Sequence, residues 1–117
     1  MSPKSNYLNF LKINEKKLNT PDVIIVVAFY KFFEVCDIIA LQNSLKSIFN
    51  NTKIKGTILI AKEGINSTIA GKKDEISVAL EKLWSLDFLI DLDFKFSFAL
   101  KNPFFRMKIR LKKEIVT

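Results

Sequence analysis

The stretch Lys55-Gly56-Thr57-Ile58-Leu59-Ile60-Ala61-Lys62-Glu63-Gly64-Ile65-Asn66-Ser67-Thr68-Ile69-Ala70-Gly71 decides how the rest of the chain is arranged. Ile54 to Ala61 has the β-branched, apolar character of a strand, and Lys62-Glu63-Gly64 is turn chemistry. Ile65 to Ala70 then returns with strict alternation, Ile65, Ser67 and Ile69 pointing one way and Asn66, Thr68 and Ala70 the other. The pattern predicts a β-hairpin. Two uses of its turn stay open: a Gly loop joined to Asn, Ser and Thr can hold an anion, or Gly64 simply supplies a positive φ while the polar residues face water.

Upstream of the hairpin, Val23 to Tyr30 follows the breaker Thr20-Pro21-Asp22 and is apolar on both sides, the pattern of a central strand covered on both faces. Asp37 can cap a helix in which Ile38, Leu41, Leu45, Ile48 and Phe49 recur every three or four residues, ending near Asn50-Asn51. Residues 1–22 form a lead-in segment in which Tyr7, Leu8, Phe10, Leu11 and Leu18 can pack against the body. Downstream, Ile76, Ala79, Leu80, Leu83 and Trp84 make a second helical stripe with Asp74 and Glu75 in its first turn, where the helix dipole favours anions. Phe94, Phe96 and Phe98 then alternate with Asp93, Lys95 and Ser97. After Asn102-Pro103, Phe105, Met107, Ile109 and Leu111 alternate with Arg106, Lys108, Arg110 and Lys112, which predicts a last strand near an edge.

The order strand, helix, strand, strand, helix, strand, with one further strand, is an α+β split βαβ plan: two helices on one face of an antiparallel sheet plus a C-terminal strand. A length of 117 residues with 49% hydrophobic and 26% charged residues suits one domain with a genuine core, to which eleven Phe contribute. The apolar run at 23–30 is far shorter than the roughly 20 residues of a membrane span, so no membrane partner is expected. Met1 to Thr20 shows no apolar signal region, and a single cysteine forms no internal disulfide; both point to the cytoplasm.

The net charge of +7 is unevenly placed. Residues 101–117 carry Lys101, Arg106, Lys108, Arg110, Lys112 and Lys113 against Glu114 alone, while the other hundred residues carry 13 cations and 11 acids. A nearly neutral body with a basic edge points to a local anionic partner. On a strand, Arg106, Lys108, Arg110 and Lys112 point the same way about 6.6 Å apart, a cationic ladder. Such a ladder suits a phosphate backbone, and it equally suits an edge strand protected from aggregation. Tyr30, Lys31 and Phe104 become stacking or positioning neighbours wherever they are exposed.

With no histidine, Ser-His triads and His-ligated zinc fall away, and no metal site is expected. Cys36 stands beside Glu34 and Asp37, acids that disfavour a thiolate, so it reads as a packing or surface residue. The carboxylate pairs Asp91/Asp93 and Glu34/Asp37 lie at element boundaries, where Asp commonly caps or turns the chain.

Three strings taken together, Phe29-Tyr30-Lys31-Phe32, residues 55–71 and Arg106 to Val116, resemble the N-terminal domain of the rhodanese-related tRNA uridine hydroxylase family. These are bacterial enzymes that hydroxylate the wobble uridine of certain tRNAs with molecular oxygen. The resemblance runs from about Val23 to Thr117. It implies a ferredoxin-like, acylphosphatase-like plait over residues 23–117, and a rhodanese-like domain with a catalytic-type cysteine beyond residue 117. No residue here matches that cysteine loop, and Cys36 does not take its role. Ser67, where Gly is frequent in the family, and Lys72, where a capping Ser is common, depart from its pattern.

What the resemblance implies is an RNA-facing or scaffold domain that is inactive alone and carries no cofactor of its own. Lys31, Lys55, Asn66, Arg106, Lys108, Arg110 and Lys112 would position tRNA, not DNA, or the rhodanese-like domain. Two alternatives have their own signatures. A free-standing acylphosphatase-like hydrolase needs a phosphate-cradling Arg after the first strand, where Phe32-Phe33-Glu34-Val35-Cys36-Asp37 has none. A protein-interaction module would expose Phe98, Phe104 and Phe105.

Overall fold

A computed structural model describes residues 3–86, 89 and 94–114. The chain enters through two helices, α1 (Pro3–Ile13) and the single turn α2 (Glu15–Leu18), then runs through β1 (Ile24–Phe32), α3 (Ile38–Phe49), β2 (Lys55–Ala61), β3 (Gly64–Gly71), α4 (Lys73–Trp84), β4 (Lys95–Ala99) and β5 (Met107–Leu111). The strands form one sheet in the order β4-β1-β3-β2-β5. The first four pair antiparallel, whereas β5 joins β2 in parallel, so the added strand makes the sheet mixed.

Each helix forms where the sequence places its stripe. Asp37 Oδ1 accepts the Ala40 N–H at 3.0 Å and caps α3, whose Leu41, Leu45, Ile48 and Phe49 are buried. In α4 the buried side is Ile76, Ala79, Leu80, Leu83 and Trp84, and no side chain caps its start at Lys72. Glu75 there accepts the Lys53 N–H at 2.9 Å, tying the α4 start to the entry of β2. Both helices lie on one face, against Ile25, Val27, Ile58, Ile60, Ile65 and Ile69, all essentially inaccessible. Each such side chain contributes roughly 1.5–3 kcal/mol by leaving water.

The lead-in segment shares this core. Tyr7 is buried, its ring 5.1 Å from Phe96 and 6.1 Å from Trp84, and its hydroxyl lies 2.6 Å from Ser77 Oγ. Burial raises the Tyr7 pKa, with a smaller push from Asp74 and an opposing effect of the Ser77 hydrogen bond. Phe94 is buried, while Phe96 and Phe98 are half-buried along the β4 edge, where Lys17 Nζ sits 4.6 Å above the Phe98 ring.

Two expectations need correction. β1 is central, but it is not covered on both faces: it extends to Phe32, and Tyr30 and Phe32 are 53% and 55% exposed. Both main helices pack on the side of Ile25, Val27, Ile58 and Ile60, so the other side is left without a described helix. Phe105 does not alternate into the core with Met107. Pairing to β2 begins only where Gly56 N–H meets the Arg106 carbonyl, which leaves Phe105 in the preceding loop at 98% exposure.

Candidate nucleic-acid interface

The pleat sorts every strand residue to the helix side or to the open side, and the register then assembles the open side row by row. Tyr30 on β1 lies opposite Asn66 on β3, Asn66 opposite Leu59 on β2, and Leu59 opposite Arg110 on β5. The next row runs Lys95, Ala28, Thr68, Thr57 and Lys108. Lys55 follows beside Ala70. Met107 and Ile109 pack toward the core, so Lys108 and Arg110 project on the open side. Pairing continues one residue past each end of β5, through Gly56 N–H to the Arg106 carbonyl at 3.1 Å and Lys112 N–H to the Ile60 carbonyl at 2.8 Å. The four-residue ladder is therefore held by β2 along its whole length.

Of the seven residues singled out from the sequence, Asn66, Lys55, Lys108 and Arg110 share this face, with Arg106 and Lys112 at the two ends of the ladder. Lys31 is the exception. It pairs with the buried Ile65 and shares that residue's side of the sheet, where its Nζ lies 5.7 Å from the Phe33 ring centroid. One residue of offset on a strand reverses the face, so Lys31 cannot join the ladder.

Ser67 follows the same alternation to the core side, where it is buried and its hydroxyl has no partner among the described residues. Of the run Asn66-Ser67-Thr68, only Asn66 and Thr68 therefore face the open side. Gly64, at φ +147°, lies so close to β1 that a Cβ there would stand 2.1 Å from the Lys31 carbonyl oxygen. Close strand approach, as much as the turn itself, requires glycine.

The segment between β4 and β5 crosses the sheet on the open side. Asn102 Nδ2 donates to the Ala70 carbonyl at 3.1 Å while its Oδ1 accepts the Phe104 N–H at 3.0 Å, an Asx turn that pins the crossing. Phe104 consequently walls two adjoining depressions. One of about 200 Å³ is floored by Thr57, Leu59, Asn66 and Thr68; the other, of about 460 Å³, is bordered by Pro103, Phe105, Arg106 and Lys108. No strand residue described on this face is acidic.

Sequence reasoning placed Thr68 on the same side as Asn66 but missed Phe32, Leu59 and Thr57 as members of the surface. Their signal was parity: each stands an even number of residues from Tyr30 or Lys55 on its own strand.

The loop after β1 has different chemistry. Phe33, Glu34, Val35, Cys36, Asp37, Ala40, Leu41 and Ser44 line a hollow of about 390 Å³ with Glu34, Cys36 and Asp37 exposed. The N–H groups of Phe33 and Val35 are spent on the Glu63 and Lys62 carbonyls at 3.0 and 2.9 Å, and Asp37 already occupies the α3 N-terminus. Donors bonded in this way, beside two acids, do not cradle a phosphate.

Residues 24–115 match the family model described as the UPF0176 acylphosphatase-like domain. The chain belongs to the UPF0176 family. In UPF0176 terms, the match spans all five strands and both main helices, and the open face described above is a face of this family domain. Among solved structures, an acylphosphatase from Coxiella burnetii superposes with a TM-score of 0.53 at 11% identity, over 76% of this chain and 94% of that one. That likeness establishes the acylphosphatase-like fold. Full-length HypF in its phosphate- and nucleotide-bound form aligns at a TM-score of 0.47 and 12% identity, over 82% of this chain and 13% of that one.

Proposed function

We propose that this UPF0176 domain is the RNA-facing part of an oxygen-dependent hydroxylase acting on the wobble uridine of tRNA. The observation that carries the reading is the open sheet face, where Lys55, Lys108 and Arg110, flanked by Arg106 and Lys112, line up without an acidic strand residue among those described. The three strings shared with the rhodanese-related hydroxylases support the choice of tRNA. In this reading the domain is inactive alone, acts in the cytoplasm and delivers the anticodon region to a rhodanese-like domain that supplies the reactive cysteine. The basic ladder contributes phosphate contacts, and Asn66 and the threonines contribute hydrogen bonds between them.

The test is a salt titration of tRNA binding by this chain, with Arg106, Lys108, Arg110 and Lys112 together changed to Ser as the comparison. Four phosphate contacts give a slope of log K against log salt of roughly −3. The reading requires a slope of that size that collapses in the variant. Binding that is flat with salt, or that survives the four changes, overturns it.

A further inference from the structure

We propose that Tyr30 and Phe32 form a stacking platform for unpaired bases, so that this face takes a single-stranded segment of RNA in preference to a duplex. This rests on the RNA-facing reading above and adds what part of the RNA is bound.

The two rings leave the same side of β1, two residues apart, and are 53% and 55% exposed. Their centroids lie 6.1 Å apart with planes at 70°, so each steadies the other edge to face while keeping a free surface. Two large aromatic side chains in water, with Asn66 opposite Tyr30 and Gly64 opposite Phe32, mark a contact surface. Their position on the sheet identifies the occupant. Tyr30 is separated from Arg110 by Asn66 and Leu59, three strand spacings or about 14 Å. A strand of RNA whose phosphates follow the β5 ladder can therefore extend its bases inward toward the rings, past the Asn66 amide, which carries both donor and acceptor groups for base edges. Bases in a duplex are already paired and stacked on one another and cannot stack on an exposed ring. The absence of acids among the described strand residues of this face, with Lys95 on its far edge, matches a polyanion and not an acidic or neutral peptide.

The experiment measures binding of this chain to a fluorescein-labelled, mixed-sequence 12-nucleotide RNA, alone and annealed to its complement, across a salt series. The proteins compared are wild type, Y30A, F32A, Y30A/F32A, Y30F/F32Y and K108S/R110S, with far-UV circular dichroism as the folding control. The expected result is single-strand binding at least about ten-fold tighter than duplex binding, weakened roughly ten- to a hundred-fold in Y30A/F32A with the salt slope unchanged. Duplex binding should be indifferent to the rings, and Y30F/F32Y should behave as wild type. If Y30A/F32A binds the single strand within two-fold of wild type while K108S/R110S loses salt dependence, the stacking proposal falls and the RNA-facing reading stands; the rings then serve a protein contact. Equal loss of both RNA forms in Y30A/F32A also overturns stacking. Failure of wild type to bind either RNA in a salt-dependent way overturns both.

Discussion

Tyr30 on β1 and Asn66 on β3 stand directly opposite each other on the open face of the sheet, and the row they begin ends at Arg110 on β5. An aromatic ring, an amide and a guanidinium are thereby aligned across four strands by backbone register alone. Lys31, next to Tyr30 in the chain, is excluded from that row by the same register.

That exclusion separates two kinds of lysine. R110S and K108S should each reduce the slope of log K against log salt for RNA binding by about one, whereas K31S should leave the slope unchanged. Fluorescence anisotropy at four or more salt concentrations measures this directly; an equal effect of K31S would contradict the assignment of faces.

Ser67 places a hydroxyl in an apolar layer, opposite Phe29 on one side and Ile58 on the other. Leaving a buried hydroxyl unpaired costs about 1–3 kcal/mol, so S67A is expected to raise stability by about 1 kcal/mol. Urea denaturation should show a higher midpoint with the slope preserved. A lower midpoint would mean that the hydroxyl is bonded in solution.

Gly64 is expected to resist substitution. In G64A the new Cβ meets the Lys31 backbone at 2.1 Å in a positive-φ conformation, so strand separation or turn rearrangement must follow. A loss of more than about 2 kcal/mol is expected, visible as a melting temperature lowered by roughly 8 °C or more.

The buried phenol of Tyr7 makes stability depend on alkaline pH. Its folded pKa lies above the unfolded value of 10.0, so the unfolded chain gives up this proton first. The contribution is complete below pH 10 and is lost as pH rises through the folded value. In Y7F, stability near neutrality should fall by about 1 kcal/mol with the Ser77 hydrogen bond, and the decline above pH 10 should be shallower than in wild type. Parallel slopes for the two proteins between pH 9 and 11 would refute the assignment.

Much of this was legible in the residues. The stripes at Ile38 to Phe49 and Ile76 to Trp84 are helical because their apolar spacing admits no other face, and the alternation of residues 65–70 set Ser67 apart from Asn66 and Thr68, although the burial of Ser67 was not among the uses expected of the polar residues. The ladder from Arg106 to Lys112 was equally plain, since period-2 chemistry survives wherever the strand lies. The exposure of Tyr30 and Phe32 was not legible, because an apolar strand reads the same whether its second face meets a helix, a partner or water. The packing of Tyr7 against the body was expected, but its partners were not, because the contacts with Trp84 and Ser77 join residues about 70 or more positions apart.

Local periodicity therefore determined, from sequence alone, which elements form and which side chains share a face, because both depend on neighbours a few residues away. Only the tertiary structure decided that β5 lies parallel beside β2, that the crossing pinned by Asn102 spans the open side, and that Lys31 faces away from Arg110. Those are relations between distant segments, set by strand pairing and by the one-sided placement of the helices, and no local pattern encodes them.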